Sequence, residues 1–424
     1  MIINKTYRFL DSCLVFVLIM SAGGVFFQLQ RNNLSYLLFF LTIFILFFTG
    51  KQLQKSIFYN SILTFLFSSL LLLLNYLIAP SIEFMDGFVR SPLQYGFHFL
   101  NLMTCILILI HFKNNRTYSY FIEVLYLILK IVLFQAIFSF LFYFLIRNNL
   151  QQLIGGWGDK YIADTYYYLF FYDPNKYQFS LFGIEFIRTQ GWFWEPGILQ
   201  FYLNLLLFLQ GFVIKRNNTI LILTIFAIIL TYSTTGIFIM LLLLAIIFWS
   251  SIKRSPILIF IALLSFLPLY NIAKTNFENK TTGDRSSSFQ KRYLDLVEPF
   301  SIALDYPITG IGLDRQYFQA FRPKYQMEDN FGRRIENITG FQRVAEDTDK
   351  GSSNSFTYLM AAMGIPISFF FFYCLFNQQL IIYRRYLFIT IVIISLFSEP
   401  LLLRPFFLLL IVSGLSSIFS KFTT

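Results

Sequence analysis

The chain has 424 residues, of which 57% are hydrophobic and only 13% charged, with a mean hydropathy of +0.63. A soluble fold of this size carries about 25% charge, so composition excludes a soluble multidomain protein, a disordered chain, a collagen and a disulfide scaffold. It predicts an all-α, polytopic integral membrane protein, in which the net charge of +11 reports which side of the bilayer holds each loop and not a nucleic-acid partner.

A hydrocarbon core of about 30 Å needs about 20 helical residues. Twelve spans are read, roughly 10–29, 34–50, 56–78, 92–112, 121–146, 196–214, 218–232, 234–250, 255–272, 354–376, 386–399 and 401–420. The first is taken as a retained span, because no small-residue cleavage site follows a short apolar core. With the N-terminus inside, thirteen Lys and Arg residues lie on the inner side: Lys5, Arg8, Lys51, Lys55, Lys113, Arg116, Lys215, Arg216, Lys253, Arg254, Arg384, Arg385 and Lys421. The short outer loops hold three, Arg31, Arg90 and Arg404. This asymmetry predicts both termini in the cytoplasm. The whole chain, 1–424, is read as a single transmembrane domain. Cys13, Cys105 and Cys374 sit in apolar stretches and are expected to pack as small hydrophobes.

Two outer segments are too long to be connectors. The loop 147–195, between spans five and six, opens on Gly155-Gly156-Trp157-Gly158 and continues into an aromatic run from Tyr161 to Tyr172, suited to the headgroup level. At its end stands Arg188-Thr189-Gln190-Gly191-Trp192-Phe193-Trp194-Glu195-Pro196-Gly197. Pro196 suits the first turn of a helix, which sets Glu195 near the N-cap, at the positive end of the dipole. Arg188 and Glu195 can hold an anion and handle a proton there. They can equally form an ion pair at a helix start, with Trp192 and Trp194 as belt residues. The turn Thr231-Tyr232-Ser233-Thr234-Thr235-Gly236 follows between spans seven and eight. Its hydroxyls either face a polar cavity or satisfy the turn backbone.

The large outer loop, 273–353 between spans nine and ten, holds twelve basic and twelve acidic side chains. It contains Arg285, Lys291, Arg292 and Asp295, then Pro307-Ile308-Thr309-Gly310-Ile311-Gly312. Arginine suits phosphate through its planar fork of donors. Gly310 and Gly312 permit a tight turn and a close backbone approach. Without a third glycine or a following acidic residue they make no dinucleotide fingerprint. Ser352-Ser353-Asn354-Ser355 reads as an N-cap cluster opening span ten, and Gly364-Ile365-Pro366 as a kink inside it. Within the membrane, Lys130 can snorkel and His98 is expected to hydrogen-bond between helices.

In this order the pieces resemble the O-antigen ligase and O-antigen polymerase superfamily, over roughly residues 180–375. The family's arginine, glycine, aromatic and proline match Arg188, Gly191, Phe193 and Pro196. Its Ser-Thr-Thr-Gly turn matches Ser233 to Gly236. Its arginine fifteen residues before Pro-x-x-Gly-x-Gly matches Arg292, Pro307, Gly310 and Gly312, and its closing Asn and Gly-Ile match Asn354 and Gly364-Ile365. Glu195 before Pro196 looks like the polymerases. Ligase-like members often place His where Ser353 stands, and 273–353 holds no histidine.

The resemblance implies a glycosyltransferase C-like fold in the bacterial inner membrane, with the active site facing the periplasm. It implies a repeat-unit polymerase whose donor is an oligosaccharide on undecaprenyl diphosphate. On that reading Arg188, Arg292 and Glu195 are catalytic, and Arg285, Trp192, Trp194, Gly310, Gly312 and Asn354 bind substrate. A chain-length regulator protein is expected from the family. No acidic cluster with metal-ligand spacing stands in the outer loops, so a metal-independent reaction without cofactor is expected. The alternatives are an O-antigen ligase and a flippase or transporter of lipid-linked oligosaccharide, the latter disfavoured by the long outer loops and the lack of internal repeats.

Overall fold

A computed structural model describes residues 5–26, 31–49, 52–80, 91–154, 162–173, 178–181, 184–252, 286–327, 333–334, 337–338 and 352–423. Its helices are α1 (Lys5–Gly23), α2 (Arg31–Thr49), α3 (Lys55–Ile78), α4 (Pro92–Ile110), α5 (Tyr118–Ile146), α6 (Pro196–Phe208), α7 (Asn218–Leu230), α8 (Thr234–Ile252), α9 (Ser286–Asp305), α10 (Arg315–Met327), α11 (Ser355–Met363), α12 (Ile365–Phe376), α13 (Arg385–Ser398) and α14 (Pro405–Thr423). The strands are β1 (Gln151–Ile154), β2 (Ile162–Tyr166), β3 (Phe170–Tyr172), β4 (Gln178–Leu181) and β5 (Ile184–Ile187).

The protein is mostly helical, and five of its described helices are long and apolar enough to cross a membrane. These five and six shorter apolar helices overlap every expected span but the ninth, 255–272, which lies outside the described residues. The expected all-α architecture needs one correction. Segment 147–195 is not plain loop: β1, β2 and β3 form an antiparallel sheet, and β4 pairs with β5. The aromatic and β-branched run that suggested an interfacial anchor also has high strand propensity.

The chain divides into two compact units. Unit 1 comprises Met1–Gly50, Arg116–Phe277 and Ile381–Ser395. Its centre is α6, every residue of which is buried, packed against α5, α7 and α8. Close approach needs small residues. A Cβ on Gly23 would meet Phe193 at 3.3 Å, and one on Gly236 would meet Gln200 at 2.8 Å. Thr117 caps α5 by accepting from Tyr120 N, and Asn217 caps α7 through Thr219 N and Ile220 N, which satisfies otherwise orphaned N–H groups. Arg116 Nε lies 3.0 Å from Asp11 Oδ2, tying the start of α5 to α1. Lys130 sits 4.8 Å from the Tyr126 ring centroid, one helical turn away.

Unit 2 comprises Lys51–Asn115, Glu278–Leu380 and Leu396–Thr424. Within it α3 is built inside-out. It buries Asn60, Thr64, Ser68 and Asn75 and exposes Leu66, Leu70, Leu73 and Leu77. A helix in water does the reverse; lipid solvates leucine, so helices associate there through hydrogen bonds and small residues. Asn60 accordingly donates to Ser416 O and accepts from Ser416 Oγ, both at 2.9 Å.

Candidate functional site

The Arg188–Gly197 segment lies in unit 1, where it enters α6. Glu195 is the N-cap of α6, with extended backbone angles, and Pro196 fills N1. The Glu195 carboxylate caps none of the helix N–H groups. Upstream the chain turns at Gly191 (φ 56°), closed by Phe193 N to Gln190 O at 3.0 Å. A Cβ there would meet Gln135 Oε1 at 2.8 Å, so glycine is required both by conformation and by space. Val25 N donates to Trp192 O at 2.8 Å, and Trp194 N to Gly23 O at 3.3 Å, which fastens the segment to the end of α1. Phe193 and Trp194 are buried, while Trp192 is half-buried and donates from Nε1 to Leu169 O at 3.0 Å.

Arg188 is partly buried. Its Nε donates to Thr231 O at 2.9 Å, and Thr189 N donates to Leu230 O at 3.0 Å. Thr231 is the C-cap of α7, where carbonyls are orphaned and the dipole is negative, so a guanidinium is favoured there. The Arg188 motif and the Thr231–Gly236 turn are thus brought together within one unit. In that turn Ser233 Oγ accepts from Gly236 N at 3.3 Å, and Asn204 Nδ2 donates to Gly236 O at 3.1 Å. Arg188 and Thr189 also line a water-sized cavity of about 10 Å³ with Ser139, Tyr143 and Tyr172. In β2, burial raises the Asp164 carboxyl above its ordinary pKa.

Unit 2 holds the second set. Arg292 is exposed on α9, and Arg285 lies outside the described residues. One turn beyond Arg292 the same helix turns inward. Asp295, Glu298 and Arg322, all within 1% of complete burial, form a charged triad. Arg322 Nη2 lies 3.1 Å from Asp295 Oδ1, and its Nε 2.5 Å from Glu298 Oε2. Pro299 has no N–H for the Asp295 carbonyl four residues earlier. That carbonyl instead accepts from Ser352 Oγ at 2.9 Å and Thr357 Oγ1 at 3.1 Å. Asp295 Oδ2 takes Ser353 N at 2.9 Å. Asn354 is the N-cap of α11, accepting from Phe356 N and Thr357 N at 3.0 and 3.2 Å. The expected N-cap cluster is therefore present, and it also repairs a proline gap in α9. Arg322 was missed by motif reading, although Glu298-Pro299 inside a helix pattern marks where a carbonyl will seek an outside donor.

The Pro307–Gly312 loop closes on the break between α11 and α12. Gly364 ends α11 with φ 81°, and the carbonyls of Ala361 and Ala362 accept from Ile311 N and Gly312 N at 2.8 and 2.9 Å. Ile365 N donates to Pro307 O at 2.8 Å, and Gly310 N to Tyr306 O at 3.0 Å. Gly310 (φ 61°) and Gly312 (φ 104°) shape the loop for this contact. Asn75, a lone amide in a leucine run, secures it from α3. Its Nδ2 donates to Thr309 O and Ala362 O at 3.0 and 2.9 Å, and its Oδ1 accepts from Tyr95 Oη at 2.8 Å. Tyr95 Oη in turn accepts from Leu313 N. A buried polar group left unsatisfied costs about 1–3 kcal/mol. Asn75→Leu is therefore expected to lower the thermal midpoint of the detergent-purified protein, and Tyr95→Phe to lower it less. Nearby, burial lowers the Arg315 pKa from its ordinary value.

The mostly helical fold, with five described helices long and apolar enough to cross a bilayer, is consistent with a membrane protein. Residues 219–372 match the family model described as O-antigen ligase, and this match supports a likeness to the O-antigen ligase and polymerase superfamily over that stretch. Arg292, Gly310, Gly312 and Asn354 fall inside the match, and Arg188 and Glu195 precede it. Searches of curated proteins and of solved structures found no match.

Proposed function

We propose that the protein polymerises oligosaccharide repeat units carried on undecaprenyl diphosphate, at the outer face of the bacterial inner membrane. The proposed topology has twelve spans and both termini inside. The family match supports glycosyl transfer in surface-polysaccharide synthesis. The observation that carries the site assignment is the Glu195 carboxylate at the head of α6, uncommitted to capping and seven residues from Arg188.

In the proposed reaction, an acceptor hydroxyl attacks the anomeric carbon of the donor sugar. The bond from that carbon to the diphosphate oxygen breaks, undecaprenyl diphosphate leaves with the bonding pair, and the hydroxyl proton passes to Glu195. The leaving group is already a good one, so positive charge and orientation supply most of the acceleration. Each unit is assigned its own diphosphate donors, Arg188 in unit 1 and Arg292 in unit 2, with Arg285 as a third. Charge-assisted hydrogen bonds contribute about 1.5–3 kcal/mol each. In unit 1 Trp192 and Trp194 lie between Arg188 and Glu195 in the chain; in unit 2 Gly310 and Gly312 shape the Pro307–Gly312 loop, and Asn354 holds the start of α11. The polymerase assignment, over the ligase, rests on Glu195-Pro196 and on Ser353 where ligase-like chains often carry histidine.

Two experiments test this. A gel of surface polysaccharide from a deletion strain should show single repeat units. Free polymer not joined to lipid A core would indicate a ligase, and no saccharide beyond the cytoplasm a flippase. Arg188→Ala and Arg292→Ala should each abolish long polymer with the protein still inserted, and Glu195→Gln should slow transfer more than it weakens lipid binding. Normal polymer in both arginine variants would overturn the diphosphate assignment.

A further inference from the structure

The hairpin joining β2 to β3 has an unusual tip. Leu169 N donates to Tyr166 O at 3.0 Å, and the two central residues, Tyr167 and Tyr168, have φ of 47° and 59°. Both central angles positive is the turn geometry that suits hairpin twist and selects Asn-Gly. Two adjacent tyrosines in it carry backbone strain, which persists only where surrounding structure holds it. Here Thr165 Oγ1 accepts from Tyr168 N and donates to Phe170 O, at 3.1 and 2.8 Å. From outside the hairpin, Trp192 Nε1 and Gln135 Nε2 both donate to Leu169 O, at 3.0 and 3.1 Å. The tip is thereby tied to the Arg188–Glu195 segment. At the other end of β3, Tyr172 lines the small cavity with Arg188.

The rings at the tip face outward. Tyr167 is 66% exposed and Tyr168 52% exposed. Phe26 stacks on Tyr168 at 6.3 Å and 21°, and Tyr166 meets Tyr167 edge-on at 4.8 Å. We propose that Tyr167 and Tyr168 form a saccharide-stacking platform that holds the sugar chain of the substrate beside the Arg188–Glu195 segment. This rests on the glycosyl-transfer reading above. A pyranose has an apolar C–H face and a polar rim, which matches an aromatic face with a phenolic hydroxyl at its edge. An anchor at the headgroup level would use the same amphipathic rings, but it needs no fixed orientation of their faces. Strain at two residues, backed by Phe26 and locked to Trp192, fixes the position of ring faces.

The test uses full-length protein in nanodiscs, with tritium-labelled lipid-linked oligosaccharide extracted from cells lacking this chain, and with the free saccharide released from that lipid by mild acid. The double variant Tyr167→Asn, Tyr168→Gly places the preferred residues in the turn. It should keep or raise the thermal midpoint, raise KM for the lipid-linked oligosaccharide at least tenfold, and lose binding of the free saccharide. The double variant to phenylalanine should keep both. Unchanged KM and saccharide binding in the Asn-Gly variant would overturn the platform. So would a lower thermal midpoint for that variant in nanodiscs with wild-type KM and saccharide binding, which is the behaviour of an anchor. Wild-type protein that binds the free saccharide through these rings but never joins two lipid-linked oligosaccharides would keep the platform and overturn the transfer reading instead.

Discussion

Replacing Arg322 with methionine should cost about 3–5 kcal/mol, because it strands two buried carboxylates without their cation. Asp295 and Glu298 share the one guanidinium, and all three side chains are closed to solvent. The triad also anchors the entry to α11 through Ser353 N on Asp295 Oδ2. Size-exclusion profiles of detergent-purified protein after heating should show the Arg322→Met variant lost at the lowest temperatures. Arg322→Lys should be intermediate, since an ammonium cannot reproduce a fork that reaches two carboxylates. Adding Asp295→Asn and Glu298→Gln to Arg322→Met should restore much of the loss by removing the uncompensated charge. Wild-type stability in the single variant would show that the triad contributes nothing to the fold. Arg292→Ala, one turn away but exposed, should shift stability by no more than about 0.5 kcal/mol. The two arginines are therefore separable by one heating series.

Gly364→Ala should be nearly as damaging. The residue has φ 81° and ψ 163°, a region open essentially to glycine, and the backbone conformation alone costs about 1–3 kcal/mol for any other residue. A Cβ would also overlap the Ile308 carbonyl, which is backbone and cannot swing aside. The Pro307–Gly312 loop must then lift from the α11–α12 break, exposing the Ala361 and Ala362 carbonyls. Limited proteolysis within 307–313 and a lower thermal midpoint would report this. Gly96 provides the control. It lies exposed in α4 with nothing near its absent Cβ, so Gly96→Ala should hold or raise the midpoint. An unchanged midpoint and digestion pattern in Gly364→Ala would refute the role given to the break.

Much of this was legible along the chain. Pro196 at N1 placed Glu195 at a helix start, Asn354 announced a cap, and Gly364-Ile365-Pro366 announced a break, because each depends on one residue's own backbone chemistry. The hairpin at Tyr166–Leu169 was not legible, since tyrosine is the wrong residue for its turn and the aromatic run reads equally well as an anchor. Arg292 and Arg322 could not be told apart in a loop of balanced charge. Which of them faces inward depends on how α9 packs on α10 and α11, not on spacing. Asn75 offered a signal, a single amide among leucines, but its partners at Thr309 and Ala362 lie more than two hundred residues away.

The sequence by itself determined the solvent of this protein. Hydropathy, low charge and the distribution of Lys and Arg are properties of composition and order, and they define a helical membrane chain whose net +11 is gathered in the inner loops of the predicted topology. Only the tertiary structure decided which polar groups are buried and with what they pair. Burial and hydrogen bonding are properties of neighbours distant in the chain. They commit Arg322 to a closed triad, tie Arg188 Nε to the end of α7 and the loop glycines to a helix break, and keep the Glu195 carboxylate out of the cap of α6.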